Sequence, residues 1–261
     1  MILQSIGLRG GYGNSVVLES INLQINSGEW LTILGPNGSG KSTLLKLLSR
    51  VLAPKGGVVL LDGKSIHTQA PKVVAQQLAL LPQSPPMPEG LTVKQMVSLG
   101  RNPYQSWWQW ELDGEGKSKV SEALYQTNLL PLQDRPVEQL SGGQKQRAFL
   151  ALALAQDTDI LLLDEPTTFL DIHYQLEILD LLRSLQSQRH LTIVTVLHDI
   201  NLAMRYSDRV ALMHQGRLYA VGSVDTVLTK ENLRAVFNID SVCMDTPIGK
   251  QIVVLGGAVE S

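Results

Sequence analysis

Apolar residues recur at every second position over Ile21, Leu23 and Ile25, with polar residues between them, which predicts a half-buried strand. Trp30 to Leu34 is a short apolar run that predicts a second strand, opening into a Gly-rich loop. Leu44 to Leu52 continues as a predicted helix, stopped before Pro54. Val58 to Leu61 predicts a strand ending at Asp62-Gly63, a turn signal. The pattern then changes, because Pro82, Pro85, Pro86 and Pro88 break regular structure after Leu81. Thr92 and Gln95 have the spacing of a capping box and predict a helix over about Val93 to Leu99. Lys117 to Leu130 predicts another helix, so a mostly helical insert is expected over about residues 86–157.

Beyond that insert, strand and helix patterns alternate. Ile160 to Leu163 is fully apolar, Leu176, Leu179, Leu182 and Leu185 step along a predicted helix from Tyr174 to Leu185, and Leu191 to Leu197 and Arg209 to Met213 predict buried strands. This alternation implies a largely parallel sheet covered on both faces. Ligands of such sheets sit beyond the carboxyl ends of the strands. The loops after Leu34, Leu163 and Leu197 are therefore where chemistry is expected.

Composition narrows the picture. The 261 residues are 44% hydrophobic and 18% charged, an ordinary globular balance. A formal net charge of -2 gives no bulk electrostatic reason to bind nucleic acid or anionic lipid. The single cysteine, Cys243, excludes a disulfide within the chain and a Cys-rich metal site, and fits a reducing compartment. Met1 to Gly13 lacks the layout of a secretory signal. The apolar run that includes Phe149 to Ala155 is far short of the ~20 residues that span a bilayer. A soluble chain is expected, held at any membrane by a partner.

Between the second strand and the first helix lies Gly35-Pro36-Asn37-Gly38-Ser39-Gly40-Lys41-Ser42-Thr43, which matches the P-loop pattern in its required context. Glycines let successive backbone N–H groups turn inward as a nest for anionic oxygens, and the following helix adds its positive end. Lys41 can reach the β- and γ-phosphates, the Ser42 hydroxyl is placed for Mg²⁺, and Thr43 can donate near the α-phosphate.

Ile160 to Leu163 runs into Asp164-Glu165, and two acids ending a buried strand are costly without a cation or partner. Asp164 is expected to hold Mg²⁺ directly or through water. Glu165, on the opposite side of an extended chain, is expected to polarise the attacking water as general base. Leu140-Ser141-Gly142-Gly143-Gln144 opens a helix running to about Ala155, a second small, Gly-rich anion site without a lysine. One chain needs one such site per nucleotide. The second suggests a nucleotide held on another copy, in a two-fold, head-to-tail dimer enclosing two nucleotides, and read alone the same segment is equally a helix cap with a hydrophilic turn.

Gly35 to Thr43, Leu140 to Gln144 and Ile160 to Pro166, in this order, resemble the signature set of ABC ATPases. Gln83 after Leu81-Pro82 resembles that family's Q-loop, Leu170-Asp171 its D-loop, His198 its switch histidine, and Tyr12 the aromatic that stacks on adenine. The resemblance covers residues from about 2 to 235. It implies an α/β P-loop NTPase core with a mostly parallel sheet, an N-terminal antiparallel β part and a helical subdomain. Its expected boundaries are 1–85 and 158–235 for the core, 86–157 for the helical part and 236–261 for a C-terminal extension.

The resemblance also implies roles. Gln83 would contact Mg²⁺ or the attacking water and sense a membrane partner. Ser141 and Gly143 would bind the γ-phosphate on the opposite subunit, Asp171 would couple the two sites, and His198 would bind the γ-phosphate and orient the water and Glu165. The expected activity is ATP hydrolysis coupled to transport, with Mg²⁺, a second copy and integral membrane permease subunits as partners. A solute-binding protein is an indirect partner and no nucleic acid is expected. The expected place is the cytoplasmic face of the inner membrane. Leu80 to Gln83, Val97 to Pro103 and Pro166 to Ile172 resemble the branch importing ferric siderophores, haem and cobalamin, with ferric siderophore ranked first. The rival reading is a non-transport ABC ATPase acting on nucleic acid or ribosomes. Trp107, Trp108 and Trp110 either dock the membrane partner or pack within the helical part.

Overall fold

Apolar runs and cap residues generate the elements in the order that the alternation predicts. In the computed structural model, residues 2–106, 111–168, 170–247 and 249–258 are described. Trp107, Trp108 and Trp110 lie outside the described residues. The chain begins with β1 (Leu3–Gly10), β2 (Leu18–Ile25), β3 (Trp30–Leu34), α1 (Lys41–Leu48), β4 (Gly56–Leu61) and β5 (Lys64–Ser65). It continues through α2 (Pro71–Ala75), β6 (Leu78–Leu81), α3 (Val93–Ser98), α4 (Gly114–Gln126), α5 (Gly142–Ala155), β7 (Ile160–Asp164) and α6 (Ile172–Arg189). Then follow β8 (Thr192–Val196), α7 (Ile200–Tyr206), β9 (Arg209–His214), β10 (Arg217–Ser223), α8 (Val224–Val227), α9 (Lys230–Phe237), β11 (Ile239–Thr246) and β12 (Gly249–Gly257).

The residues group into two compact units, Met1–Thr68 with Thr192–Ser261, and Gln69–Leu191. In the first unit, β2, β1, β4 and β5 pair in that order as an antiparallel sheet. The parallel core is built on β3, which pairs with β8 from Trp30 opposite Ile193 to Ile33 opposite Val196, and with β9 from Leu31 opposite Arg209 to Leu34 opposite Leu212. Every residue of β3 and of β8 is buried, the signature of strands covered on both faces. Their polar side chains satisfy one another. The Trp30 indole N–H donates to Thr195 Oγ1 at 2.9 Å, and Thr32 Oγ1 bonds Thr195 Oγ1 at 2.8 Å and Ser207 Oγ at 2.6 Å. On one flank, Leu34, Leu197, Ala203, Leu212, Leu233 and Ile252 share a cluster that draws α7, α9 and β12 onto the sheet.

In the second unit, β6 and β7 pair in parallel, from Leu78 opposite Ile160 to Leu81 opposite Leu163. Helices α3, α4 and α5 pack on one another through Met96, Val97, Val120, Leu124, Ala148 and Leu150, all buried. Arg101 lies buried at the end of α5, where it donates to Ala155 O at 3.1 Å and stacks 3.8 Å from the Tyr104 ring centroid. A cation at a helix C-terminus offsets the negative end of its dipole. Gly100 lets this segment close on α5, since a Cβ there would stand 2.2 Å from Leu152 O. The Gly100 to Pro103 stretch thus clasps the helix that Ser141 opens.

The boundaries of some elements differ from the sequence expectation for local reasons. Helix α1 starts at Lys41 rather than Leu44 because the loop runs directly into it, and it stops before Arg50, whose φ is 65°. Helix α4 starts at Gly114 rather than Lys117, capped by Asp113, which accepts from Gly116 N–H at 2.7 Å. Its exit is set by Asn128 at φ 56°.

Candidate nucleotide site

The loop after β3 is shaped by residues that other side chains cannot replace. At Gly35 a Cβ would lie 2.3 Å from Met213 O, and at Gly40, with φ +100°, 2.4 Å from a Leu18 methyl. Gly40 occupies the N-cap of α1 and supplies no side-chain cap, whereas α3, α4, α5, α6, α7 and α9 are each closed by a Thr, Ser or Asp side chain. The first N–H groups of a helix have no partner within it. Lys41 is 6% exposed and its ammonium donates to Gly35 O at 2.8 Å and Pro36 O at 3.0 Å, folded over the mouth of the loop. Ser39 Oγ is buried with no hydrogen-bond partner. Asn37 and Gly38 are exposed, Pro36 and Ser42 half-buried, and Thr43 buried. A central cation, an uncapped helix start and an orphaned hydroxyl fit a polyphosphate, whose oxygens would answer all three.

In the same unit, Tyr12 is exposed, with its hydroxyl accepting from Lys46 Nζ at 3.3 Å. His198 follows Leu197 beyond the end of β8 and its side chain is exposed. Asp199, next in sequence, caps α7 by accepting from Asn201 N–H at 2.7 Å and Leu202 N–H at 2.9 Å.

In the second unit the two acids are 3% and 8% exposed, Asp164 as the last residue of β7 and Glu165 just beyond it. Glu165 is not extended, as the alternation argument expected. Its φ is +54°, in the left-handed region, where a non-Gly residue costs on the order of 1–3 kcal/mol. The reversal ends the strand and turns the Glu165 carboxylate to accept from Gln83 Nε2 at 2.7 Å and Thr168 Oγ1 at 3.0 Å, both on Oε2. Gln83 and Glu165, 82 residues apart in sequence, therefore meet directly. Thr168 escaped the sequence reading, although a hydroxyl three residues after a turning acid is a readable signal.

Ser141 opens α5 with a complete capping box. Its Oγ accepts from Gln144 N–H at 3.4 Å, and Gln144 Oε1 accepts from Ser141 N–H at 3.0 Å. Ser141 and Gly142 are exposed, leaving the helix tip open to solvent. Gln146 Nε2 donates to Pro166 O at 2.9 Å, tying α5 to the turn after Glu165. Asp171 caps α6, accepting from Tyr174 N–H at 3.0 Å, beside Ile172 at 76% exposure.

Among the described residues no three His, Cys, Asp or Glu side chains gather into a metal cluster, and no helix is long and apolar enough to cross a membrane. Ser42 in the first unit, and Gln83 and Asp164 in the second, each carry a hard oxygen donor of the kind that suits Mg²⁺.

Comparison with known proteins agrees with this chemistry. Residues 18–168 match the sequence family described as ABC transporter. YusV of Bacillus subtilis, named a "probable siderophore transport system ATP-binding protein", is 48% identical over 91% of this chain and 86% of its own length. The iron(3+)-hydroxamate import ATP-binding protein FhuC of the same organism is 44% identical over 91% and 88%. Among solved structures, the ATP-binding cassette MJ0796, in a dimeric post-hydrolysis state with ADP and Pi, superposes with a TM-score of 0.75 at 28% identity, covering 85% of this chain and 99% of that one.

Proposed function

The chain belongs to the ABC transporter family, and from that premise we propose that it is the ATP-hydrolysing subunit of an importer for ferric siderophores. The observation that carries the reading is Glu165, buried, turned by its left-handed backbone and held by Gln83 and Thr168. A carboxylate fixed in this way is prepared to act as general base rather than to fill a surface. The cargo assignment rests on relatives that span most of their own length in the match and are named for siderophore transport and iron(3+)-hydroxamate import.

In this reading the loop from Gly35 to Thr43 takes the phosphates of ATP. Its backbone N–H groups and Lys41 meet the negative oxygens, and Tyr12 supports the base. Ser42, Asp164 and Gln83 would hold Mg²⁺, which would supply charge neutralisation at the phosphates. Glu165 takes the proton of the attacking water, and His198 orients that water at the γ-phosphate. Ser141, Gly142, Gly143 and Gln144 of one copy complete the site of the other, with Asp171 at the seam. Support for two copies comes from the open, serine-capped tip of α5 and from the dimeric state of the similar cassette. Binding would close the pair, and loss of the γ-phosphate would reopen it. The motion would pass to separate permease subunits at the cytoplasmic face of the membrane, with a solute-binding protein delivering cargo.

Deleting the gene and measuring uptake of ferric siderophore and haem labelled with radioactive iron, and of cobalamin labelled with radioactive cobalt, tests the cargo. Loss of ferric siderophore uptake, with haem and cobalamin uptake retained, is the expected result. The reverse pattern would reassign the cargo, and unchanged uptake of all three would remove the transport reading.

A further inference from the structure

Helix α7, which starts two residues after His198, has only seven residues, and helices shorter than about 12 residues are marginal on their own. On the other side of His198, the β3–β8 ladder is fading, with Leu197 N–H donating to Ile33 O at 3.4 Å. The histidine therefore sits between a weakening ladder and a helix that needs outside support.

Burial of Ala203 and Tyr206 holds the later turn of the helix, and Asn201 holds its first turn. The Asn201 backbone N–H belongs to the Asp199 cap at 2.7 Å. Its side chain pairs with the backbone of a single residue of the C-terminal hairpin. Oδ1 accepts from Ile252 N–H at 2.7 Å, and Nδ2 donates to Ile252 O at 3.1 Å. An amide side chain that takes both backbone groups of one strand residue fixes direction as well as distance. Ile252 is itself anchored, 5% exposed in the cluster that includes Leu34, Leu197 and Ala203. Little else of the described hairpin is sunk. Ser241 and Ile252 are buried, and Val242, Met244, Val253 and Leu255 are exposed. The hairpin grips the rest of its unit at few points, and one of them is the first turn of α7.

We propose that the β11–β12 hairpin, through the two hydrogen bonds of Asn201 to Ile252, sets the position of His198, making Asn201 a positioning residue for hydrolysis. The proposal rests on the role given to His198 above. Asn201 spends its side-chain amide on Ile252. It would act by holding the Asp199 turn, and with it the backbone from which His198 projects. A shift of about 1 Å at such a group costs up to about a hundredfold in rate.

Asn201→Ala, made in the full chain, is the test. The expected result is a kcat for ATP about tenfold or more below the parent, with KM for ATP within about twofold, because binding is carried by the loop after β3. In a His198→Ala background the same change should cost less than about twofold, since the residue being positioned is gone. A kcat within twofold of the parent overturns the proposal, as does an equal loss in both backgrounds. If His198→Ala alone turns over at the parental rate, the role of His198 fails, and that result is separate from any effect of Asn201. Should Asn201→Ala not yield folded protein, Asn201→Asp has the same size and keeps the acceptor for Ile252 N–H while losing the donor. The same split between kcat and KM is expected, and an unchanged kcat overturns the proposal.

Discussion

Replacing Glu165 with glutamine separates chemistry from structure at one carboxylate oxygen. In the protein Oε2 accepts from Gln83 Nε2 at 2.7 Å and from Thr168 Oγ1 at 3.0 Å. The amide of Glu165→Gln has the same shape, and its oxygen can take both donors. Bonds to a charged acceptor are worth ~1.5–3 kcal/mol and to a neutral one ~0.5–1.5 kcal/mol, so each weakens by about 1 kcal/mol. Relief from burying a charge at 8% exposure works in the opposite direction. Net stability should move by no more than about 2 kcal/mol, a Tm change within about 5 °C for a chain of this size. The loss of a general base is larger, about 10²–10⁴-fold in kcat, or roughly 3–5 kcal/mol of barrier. Phosphate release should therefore fall at least about a hundredfold while ATP still binds, and a closed dimer should accumulate on size-exclusion chromatography with ATP. Turnover at the parental rate would refute the base assignment. Loss of ATP binding together with hydrolysis would show that the carboxylate supports the fold rather than the reaction.

Other outcomes follow from neighbouring features. Ser141→Arg should abolish hydrolysis while one chain still binds ATP, measured with a fluorescent analogue, and unchanged turnover would exclude a site shared by two copies. Trp30→Phe removes the indole donor to Thr195 and leaves a void at a fully buried position, so urea denaturation should show a loss of about 2–3 kcal/mol. A loss under about 0.5 kcal/mol would mean the buried hydroxyl chain does not depend on it. The His67 imidazole is held below its ordinary pKa, first by burial and then by Arg50, so the folded state favours the neutral ring. As pH falls below about 6.5 the unfolded chain takes the proton first, and folding loses stability until the folded histidine also titrates. His67→Gln should flatten the decline between pH 7.5 and 5.5 in denaturation midpoints, and an identical decline would remove His67 as a contributor.

The elements that the sequence made legible are those whose signals are local. The run Trp30 to Leu34 gives β3 with the same ends, and the Thr92 and Ser141 capping boxes mark the starts of α3 and α5 because the cap and its partner are three residues apart. Glu165 was readable as a carboxylate but not as a turn. Its φ of +54° answers to Gln83, 82 residues away, and to Thr168, neither of which leaves a periodic trace. Helix α7 is too short to show a face, and its first turn is tied to Ile252, 51 residues downstream. The β11–β12 hairpin carries no alternation for most of β11, since Val242, Cys243 and Met244 are exposed in succession. Thus the loops that depend on backbone shape were visible in the glycine spacing. The contacts that aim side chains across the fold were not.

The hydroxyl at the tip of α5 has spare valence. Accepting from Gln144 N–H occupies one lone pair of Ser141 Oγ and leaves the oxygen its own hydrogen and a second lone pair. It can close its helix inward and still offer a proton outward at the same moment. A carboxylate such as Asp171 at the start of α6 caps at least as well, but it has no proton to give and would repel an anion. If Ser141 grips the ATP of a second copy as proposed, stability and turnover place different demands on this position. Directed evolution for thermostability alone would be free to accept Ser141→Asp, which keeps the helix start and loses the grip.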